Sequence, residues 1–134
     1  MRNNNRDSKR YYAWMDKAQD DLNAASILRA HGGSMHIVAF HCHQSIEKAL
    51  KGYLLYKTGN HYDGHNLSYL CKVAMRQDSN FREWLDESAS LNSYYIRSRY
   101  PSDVAVPFSE ERLRSAYIMA ERMYRYISKE IYTD

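Results

Sequence analysis

Apolar residues recur at helical spacing along most of this chain, and the breaks between these stretches predict separate helices. The strongest pattern covers residues 34–57, where apolar positions three and four apart form one broad face. A helix with so wide an apolar face needs several packing partners, so we expect the other elements to surround it. The residues of this face are Met35, Val38, Ala39, Cys42, Ile46, Ala49, Leu50, Tyr53 and Leu54.

Four further stretches predict helices over about residues 9–31, 67–76, 80–100 and 109–131. Gly32 and Gly33 end the first of them, and in that helix Asp20 and Asp21 lie off the apolar stripe. Asn80 followed by Glu83 resembles a capping box that would begin the fourth helix. That helix must end before Pro101, because the residue preceding a proline is disfavoured in the helical region.

The predicted fold class is all-α, an antiparallel up-and-down bundle of four long helices plus one short helix. No stretch alternates apolar and polar residues between turn signals, so no sheet is predicted. The polar residues 1–8 predict a disordered N-terminal lead, and residues 9–134 are expected to form one domain.

Composition adds a few limits to this picture. The net charge is +3, which is mildly basic and compatible with an anionic partner. No apolar run approaches the roughly 20 residues that span a bilayer, and the polar N-terminus does not resemble a secretion signal. Cys42 and Cys71 fall on apolar helix faces. They predict reduced core residues and a cytoplasmic location without membrane association.

Two polar clusters are candidates for a binding site. Opposite the apolar face of the second predicted helix lie donors and cations suited to phosphate oxygens, although a solvated helix face would show the same pattern. These residues are His41, Gln44, Ser45, Lys48 and Lys51. The second cluster, residues 94–101, combines two arginines with three tyrosines, which suit phosphate contacts and base stacking. Arginines at a helix C-terminus also favour the negative end of the helix dipole, so this cluster is ambiguous by itself.

The six histidines do not predict a metal site. His41 and His43 are two residues apart and point to different sides of a helix, while Gly64 argues against a helix between His61 and His65. The sequence also lacks a glycine-rich phosphate loop and a nucleophile-elbow motif. No cofactor is therefore expected.

Three motifs in order resemble the HEPN domain family of prokaryotes. A helix with the pattern Q-x-x-E-K-A-x-K is matched by residues 44–51, H-x-L by residues 65–67, and R-Y-P by residues 99–101. The resemblance extends over about residues 10–132 and implies an all-α up-and-down bundle that forms a homodimer. The residues matched are Gln44, Glu47, Lys48, Lys51, His65, Leu67, Arg99, Tyr100 and Pro101.

The resemblance implies two kinds of function. Some HEPN proteins are metal-independent ribonucleases with an R-x(4–6)-H motif, but here no histidine follows Arg97 or Arg99, and the last is His65. The absence of this motif favours a protein that is not such an enzyme. Other members with R-Y-P are encoded beside a minimal nucleotidyltransferase. The resemblance to these members implies a module that binds nucleotide or RNA and forms a toxin–antitoxin-type pair with the nucleotidyltransferase.

The expected ligand-binding residues are Gln44, Lys48, Lys51, Tyr95, Arg97, Arg99 and Tyr100, and the expected structural residues are Glu47, His65, Leu67 and Pro101. For this interpretation, the glutamine- and lysine-bearing side of the second helix and the arginine–tyrosine cluster must converge on one anion-binding surface. One alternative is a ribonuclease with altered chemistry, in which Arg97 or Arg99 holds phosphate and Tyr100 or His65 carries a proton. Another is a dimeric scaffold, in which tyrosines of the last helix cover an interface; these are Tyr117, Tyr124 and Tyr126.

Overall fold

A computed structural model describes residues 6–104, 106 and 108–133. In this part of the chain there are five α-helices and no strand, which confirms the all-α prediction. Residues 1–5 of the predicted lead lie outside the described residues. The helices are α1 (Tyr11–Ala30), α2 (Met35–Thr58), α3 (Leu67–Gln77), α4 (Leu85–Ser98) and α5 (Glu110–Tyr132), with a 3₁₀ helix at Ser79–Trp84 before α4.

The central element is α2, which packs against each of the other four α-helices. Its predicted apolar face is buried, apart from the half-buried Met35 near its start. Between Cys42 and Leu55, only Gln44 and Lys48 are not buried. The polar side of α2 is therefore covered by other helices over these turns and is not a solvated face.

Helices α1 and α2 form an antiparallel hairpin. Ser45 Oγ donates to the backbone oxygen of Ala18 at 2.8 Å, and Gly52 lies against Met15 near the start of α1. A Cβ at Gly52 would meet the Met15 sulfur at 3.1 Å, so the absence of a side chain allows this close approach. Met15 is 1% exposed at this contact.

Asp21 corrects the predicted pattern of α1. The sequence places it off the apolar stripe, but the residue is buried at 9% exposure against α2. Its carboxylate has two partners there, since Lys48 Nζ lies 2.6 Å from Oδ2 and His41 Nδ1 lies 2.9 Å from Oδ1. The polar partners on α2 allow a carboxylate to occupy a position that apolar periodicity does not mark.

The start of the fourth helix was also predicted wrongly. Residues 79–84 are a 3₁₀ helix, and its N-cap is Asp78, whose carboxylate accepts from the backbone N–H of Asn80 at 2.9 Å. Phe81 and Trp84 are buried in this segment, so packing maintains the tighter turn. At the other end, α4 stops at Ser98, before Pro101 as predicted.

Two other sequence predictions concern the cysteines and the chain's relation to a membrane. Cys42 and Cys71 are both buried and free, and burial raises the pKa of the Cys42 thiol to about 12. These thiols are core groups, as their apolar-face positions predicted. Among the described residues, no helix combines the length and the apolar character needed to cross a bilayer.

Candidate functional site

Both lysines of the predicted phosphate-binding stripe have carboxylate partners inside the protein. Lys51 Nζ lies 3.0 Å from Glu47 Oε2, and both side chains are only 4% exposed. Lys48 forms the 2.6 Å ion pair with Asp21 across the α1–α2 seam. Their charges are thus balanced locally, and each lysine has a packing role that the sequence pattern did not indicate.

Glu47 has a second partner at the surface, His65. The His65 Nδ1 atom lies 2.9 and 3.0 Å from the two carboxylate oxygens, so this nitrogen is the N–H donor. The His65 side chain is 54% exposed, which leaves its Nε2 atom available as an acceptor. The loop between α2 and α3 holds His65 in place, and the next residue, Asn66, caps α3 by accepting from Tyr69 N.

His43 is the buried polar residue at the centre of the site. Its Nε2 atom lies 3.0 Å from Asn92 Oδ1, which also accepts from the backbone N–H of Leu67 at 3.1 Å. Nε2 is therefore the donor, and Nδ1 faces the Gln44 amide nitrogen at 3.4 Å. Burial lowers the pKa of His43 to about 4, so the imidazole is neutral at pH 7. His43 has no place in the family motifs quoted above, and a single imidazole beside an apolar stripe gives no signal for such a network.

Tyr95 connects this network to the arginine at the end of α4. Its ring stacks on His43 with centroids 3.7 Å apart and planes 10° apart. The guanidinium carbon of Arg99 lies 5.2 Å from the Tyr95 ring centroid and 5.7 Å from that of Tyr100. Gln44, His43, Tyr95 and Arg99 are thus consecutive neighbours where α2 and α4 meet, whereas Lys48 and Lys51 of the predicted surface lie away from this point.

The resulting surface, which we call the Arg99 corner, consists of Tyr95, Arg99 and Tyr100 with the facing residues of α2. It borders an open hollow of about 340 Å³. Arg99 is exposed and has no carboxylate within ion-pair distance among the described residues. The residues around the hollow are His36, Ile37, Phe40, Tyr95, Ser98, Arg99 and Tyr100.

The remaining predicted residues lie elsewhere. Arg97 is not part of the Arg99 corner and lines a different hollow, together with residues of α5. Lys48 borders a third hollow beside Trp14, and Lys51 Nζ lies 5.6 Å from the centre of the Trp14 ring. Leu67 is fully buried, and Pro101 is exposed just beyond α4. Of the expected ligand-binding residues, Tyr95, Arg99 and Tyr100 therefore border one hollow, and Gln44 is connected to them only through His43.

The architecture defines an all-α domain built on a central helix, with a polar network where α2, α3 and α4 meet. The sequence model of the HEPN domain family matches residues 11–131, nearly the whole chain. The protein belongs to the HEPN domain family, as the motif resemblance predicted.

Two solved structures have the same fold. TT1696 from Thermus thermophilus is 22% identical with a TM-score of 0.76, covering 92% of this chain and 99% of that one. ST0689, described as an archaeal HEPN homologue, is 25% identical with a TM-score of 0.71 and the same coverage of both chains. A comparison with curated proteins finds no significant match.

Proposed function

We propose that this HEPN domain binds a nucleotide or RNA at the Arg99 corner. The observation that carries the proposal is the guanidinium of Arg99, which is exposed, lies over two tyrosine rings and lacks a carboxylate partner in the described part of the chain. Lys48 and Lys51 are less suited to phosphate, because each would first have to leave an internal ion pair. An arginine fork held against aromatic faces is well suited to bidentate phosphate contacts.

The other groups of the corner have different roles in this proposal. Tyr100 is 70% exposed and offers a free ring face for a base, whereas Tyr95 is 7% exposed and supports Arg99 from below. The half-buried Gln44 amide does not border the hollow, and its nitrogen lies 3.4 Å from His43 Nδ1 and 3.5 Å from Glu47 Oε1 within the network. A hollow of about 340 Å³ lies at the small end of the range for ligand pockets, which fits one nucleotide unit.

Isothermal titration calorimetry with AMP, ATP, GTP and a short single-stranded RNA tests this proposal. Arg99→Ala should weaken binding at least tenfold, because a hydrogen bond to a charged group contributes about 1.5–3 kcal/mol. Arg122→Ala is the matched control, since Arg122 is also an exposed helix arginine without an ion pair among the described residues, and it should bind like the unaltered protein. Absence of heat with every ligand, or equal affinity of the Arg99 variant, would refute the proposal.

The proposed assembly consists of a homodimer with a minimal nucleotidyltransferase as partner, in a cytoplasmic toxin–antitoxin-type pair. Its support is the family resemblance, together with exposed apolar side chains beside the Arg99 corner. Co-expression with a nucleotidyltransferase encoded next to this protein tests the partnership. Co-elution in size-exclusion chromatography supports it, and separate elution at micromolar concentration contradicts it.

A second candidate function, metal-independent RNA cleavage, is favoured by the His65–Glu47 pair. A buried carboxylate holds His65 Nδ1–H, so the exposed Nε2 could accept a proton from a ribose 2′-hydroxyl. The 2′-oxygen would then attack the adjacent phosphorus and expel the 5′-oxygen, which takes a proton from water, giving a 2′,3′-cyclic phosphate and a 5′-hydroxyl. Arg99 lies over Tyr95 of the His43–Tyr95 stack, and Glu47 Oε1, which holds His65, lies 3.8 Å from His43 Nδ1.

An RNA cleavage assay in the presence of EDTA separates the two functions. Cyclic phosphate products that disappear in His65→Ala and Arg99→Ala would favour the ribonuclease. Binding of RNA without any product, even at high protein concentration, would favour the binding module. His31→Ala is the control, because His31 is an exposed histidine at the other end of the α1–α2 hairpin from this loop.

A further inference from the structure

A second cationic hollow lies on the other flank of α4. It measures about 190 Å³ and lies between α4 and the first turn of α5. Two arginines and two serine hydroxyls border it, while Tyr94 and Phe108 stack with centroids 3.8 Å apart to form one wall. The polar residues of this hollow, which we call the Arg112 notch, are Ser90, Ser93, Arg97 and Arg112.

Arg112 is fixed in position by its neighbours. Its Nη1 atom donates to Ser90 Oγ at 2.8 Å and lies 3.6 Å from Glu87 Oε2. Its backbone N–H donates to Ser109 Oγ, the cap of α5, so the positive end of that helix lies beside the notch. An anion entering the notch would meet a guanidinium that is already oriented, which lowers the entropy cost of binding.

Arg97 faces the same notch and has no carboxylate partner among the described residues. Among the described residues, the carboxylate in ion-pair contact with these guanidinium groups is Glu87, 3.6 Å from Arg112, while Glu110 and Glu111 also lie in the first turn of α5. Two guanidinium forks, with serine hydroxyls as additional donors, are suited to a phosphate group.

The notch and the Arg99 corner are two separate sites on one helix end. Residues of an α-helix advance by about 100°, so Arg97 and Arg99 point about 160° apart. Ser90, Ser93 and Arg97 follow at spacings of three and four and share one flank, as neighbours on a helix surface do. One phosphate cannot contact both arginines in this geometry, but a chain of several phosphates crossing the end of α4 can.

We infer that Ser90, Ser93, Arg97 and Arg112 bind a second phosphate of a single-stranded oligonucleotide whose first contact is at the Arg99 corner. This inference rests on the proposed function and narrows its ligand from any nucleotide to a strand with several phosphates. A mononucleotide occupies the Arg99 corner alone. An oligonucleotide occupies both sites, which are on opposite flanks of α4.

Fluorescence anisotropy with a labelled oligouridylate, across a series of salt concentrations, tests the inference alongside calorimetry with UMP and AMP. Arg97→Ala should weaken oligonucleotide binding about tenfold and reduce the salt slope by about 0.7, the contribution of one phosphate contact to a single strand. It should leave the mononucleotide affinity unchanged, whereas Arg99→Ala weakens both ligands. Arg122→Ala serves as the control and should change neither affinity.

Two results would overturn the inference. One is an oligonucleotide affinity and salt slope that stay unchanged in both Arg97→Ala and Arg112→Lys. The second of these variants keeps the positive charge but loses the planar fork of the guanidinium. The other is a loss of mononucleotide affinity in Arg97→Ala as large as the loss of oligonucleotide affinity, which would show that the notch and the Arg99 corner are one site. If the unaltered protein binds neither ligand, the proposed function also fails. If mononucleotides bind in an Arg99-dependent way and the notch variants change no affinity, this inference is refuted and the proposed function stands.

Discussion

A single imidazole, His43, illustrates how residues determine this site. Its Nε2–H donates to Asn92 on α4, the same amide oxygen accepts from the first residue of α3, and the ring supports Tyr95. Burial keeps His43 neutral, because an imidazolium would lose its hydration here, and only the neutral ring can accept from the Gln44 amide at Nδ1. The protonation state of one side chain therefore connects the packing of three helices to the surface that carries Arg99.

The stability of the fold should consequently depend on pH through His43. The unfolded imidazole takes up its proton near pH 6.5, while burial lowers the pKa in the folded state to about 4. The contribution of neutral His43 is complete above pH 6.5 and is lost as the pH falls through 4, by a total of about 3 kcal/mol. Urea unfolding at a series of pH values from about 7.5 down to about 4 measures this loss as a decline in the free energy of unfolding.

Two histidine variants separate this effect from general acid destabilisation. His43→Gln should be less stable at neutral pH but should lose less stability on acidification, while the exposed His31→Gln should keep the original pH dependence. NMR titration gives an independent measure if the first variant does not fold, since the His43 ring signals should stay those of a neutral imidazole down to about pH 5. A normal titration of His43 near pH 6.5 would contradict the prediction.

The residues that sequence reasoning could not place share one property. Asp21, His43 and Asn92 have partners on other helices, so their positions are explained by side chains far away in the sequence. Periodicity detects apolar residues because burial of apolar area does not depend on a specific partner. Glu47 and Arg99 were found because they belong to a motif, and their chemistry became visible only with His65 and Tyr95 beside them.

At the scale of elements, helix ends were predicted best where the backbone itself determines them. Gly32 adopts a left-handed conformation with φ of 77° just after the end of α1, and Pro101 follows the end of α4, as the sequence predicts for both residues. The 3₁₀ helix was missed because tertiary packing of Phe81 and Trp84, and not a local signal, sets its geometry. Glycine and proline thus predict where helices end, whereas a boundary set by tertiary packing, such as the start of α4, is not visible in the sequence.

The seam between α1 and α2 should depend on Asp21. Its carboxylate accepts from both Lys48 and His41, so Asp21→Ala leaves two donors of α2 without their partner. We expect a loss of about 2 kcal/mol in the free energy of unfolding, in the range of hydrogen bonds between charged groups. Asp20→Ala, at the adjacent exposed position, should change stability by less than about 0.5 kcal/mol. Equal stabilities of the two variants in urea unfolding would show that the ion pair contributes little.

At the scale of the whole molecule, one face combines the proposed binding groups with uncovered apolar side chains. Ile37 is 50% exposed and Phe40 is 41% exposed on α2, and Ile96 is 57% exposed on the neighbouring helix α4. Tyr126, which the scaffold alternative placed at an interface, instead bonds to Asp78 and Asn80 within the chain. Among the described residues, the apolar surface next to the Arg99 corner is therefore the better candidate for the dimer face.

The proposed homodimer should be disrupted by a charge at this face. Ile37→Asp would bury a carboxylate between two copies, so light scattering should give the mass of a monomer where the unaltered protein gives that of a dimer. Ile27→Asp is the matched control, because Ile27 is 61% exposed on α1 and should leave the dimer intact. A monomeric mass for the unaltered protein at high concentration, or a dimeric Ile37 variant, would contradict this assignment. The readout is the mass alone, because Ile37 also borders the hollow of the Arg99 corner and its replacement would change nucleotide binding directly.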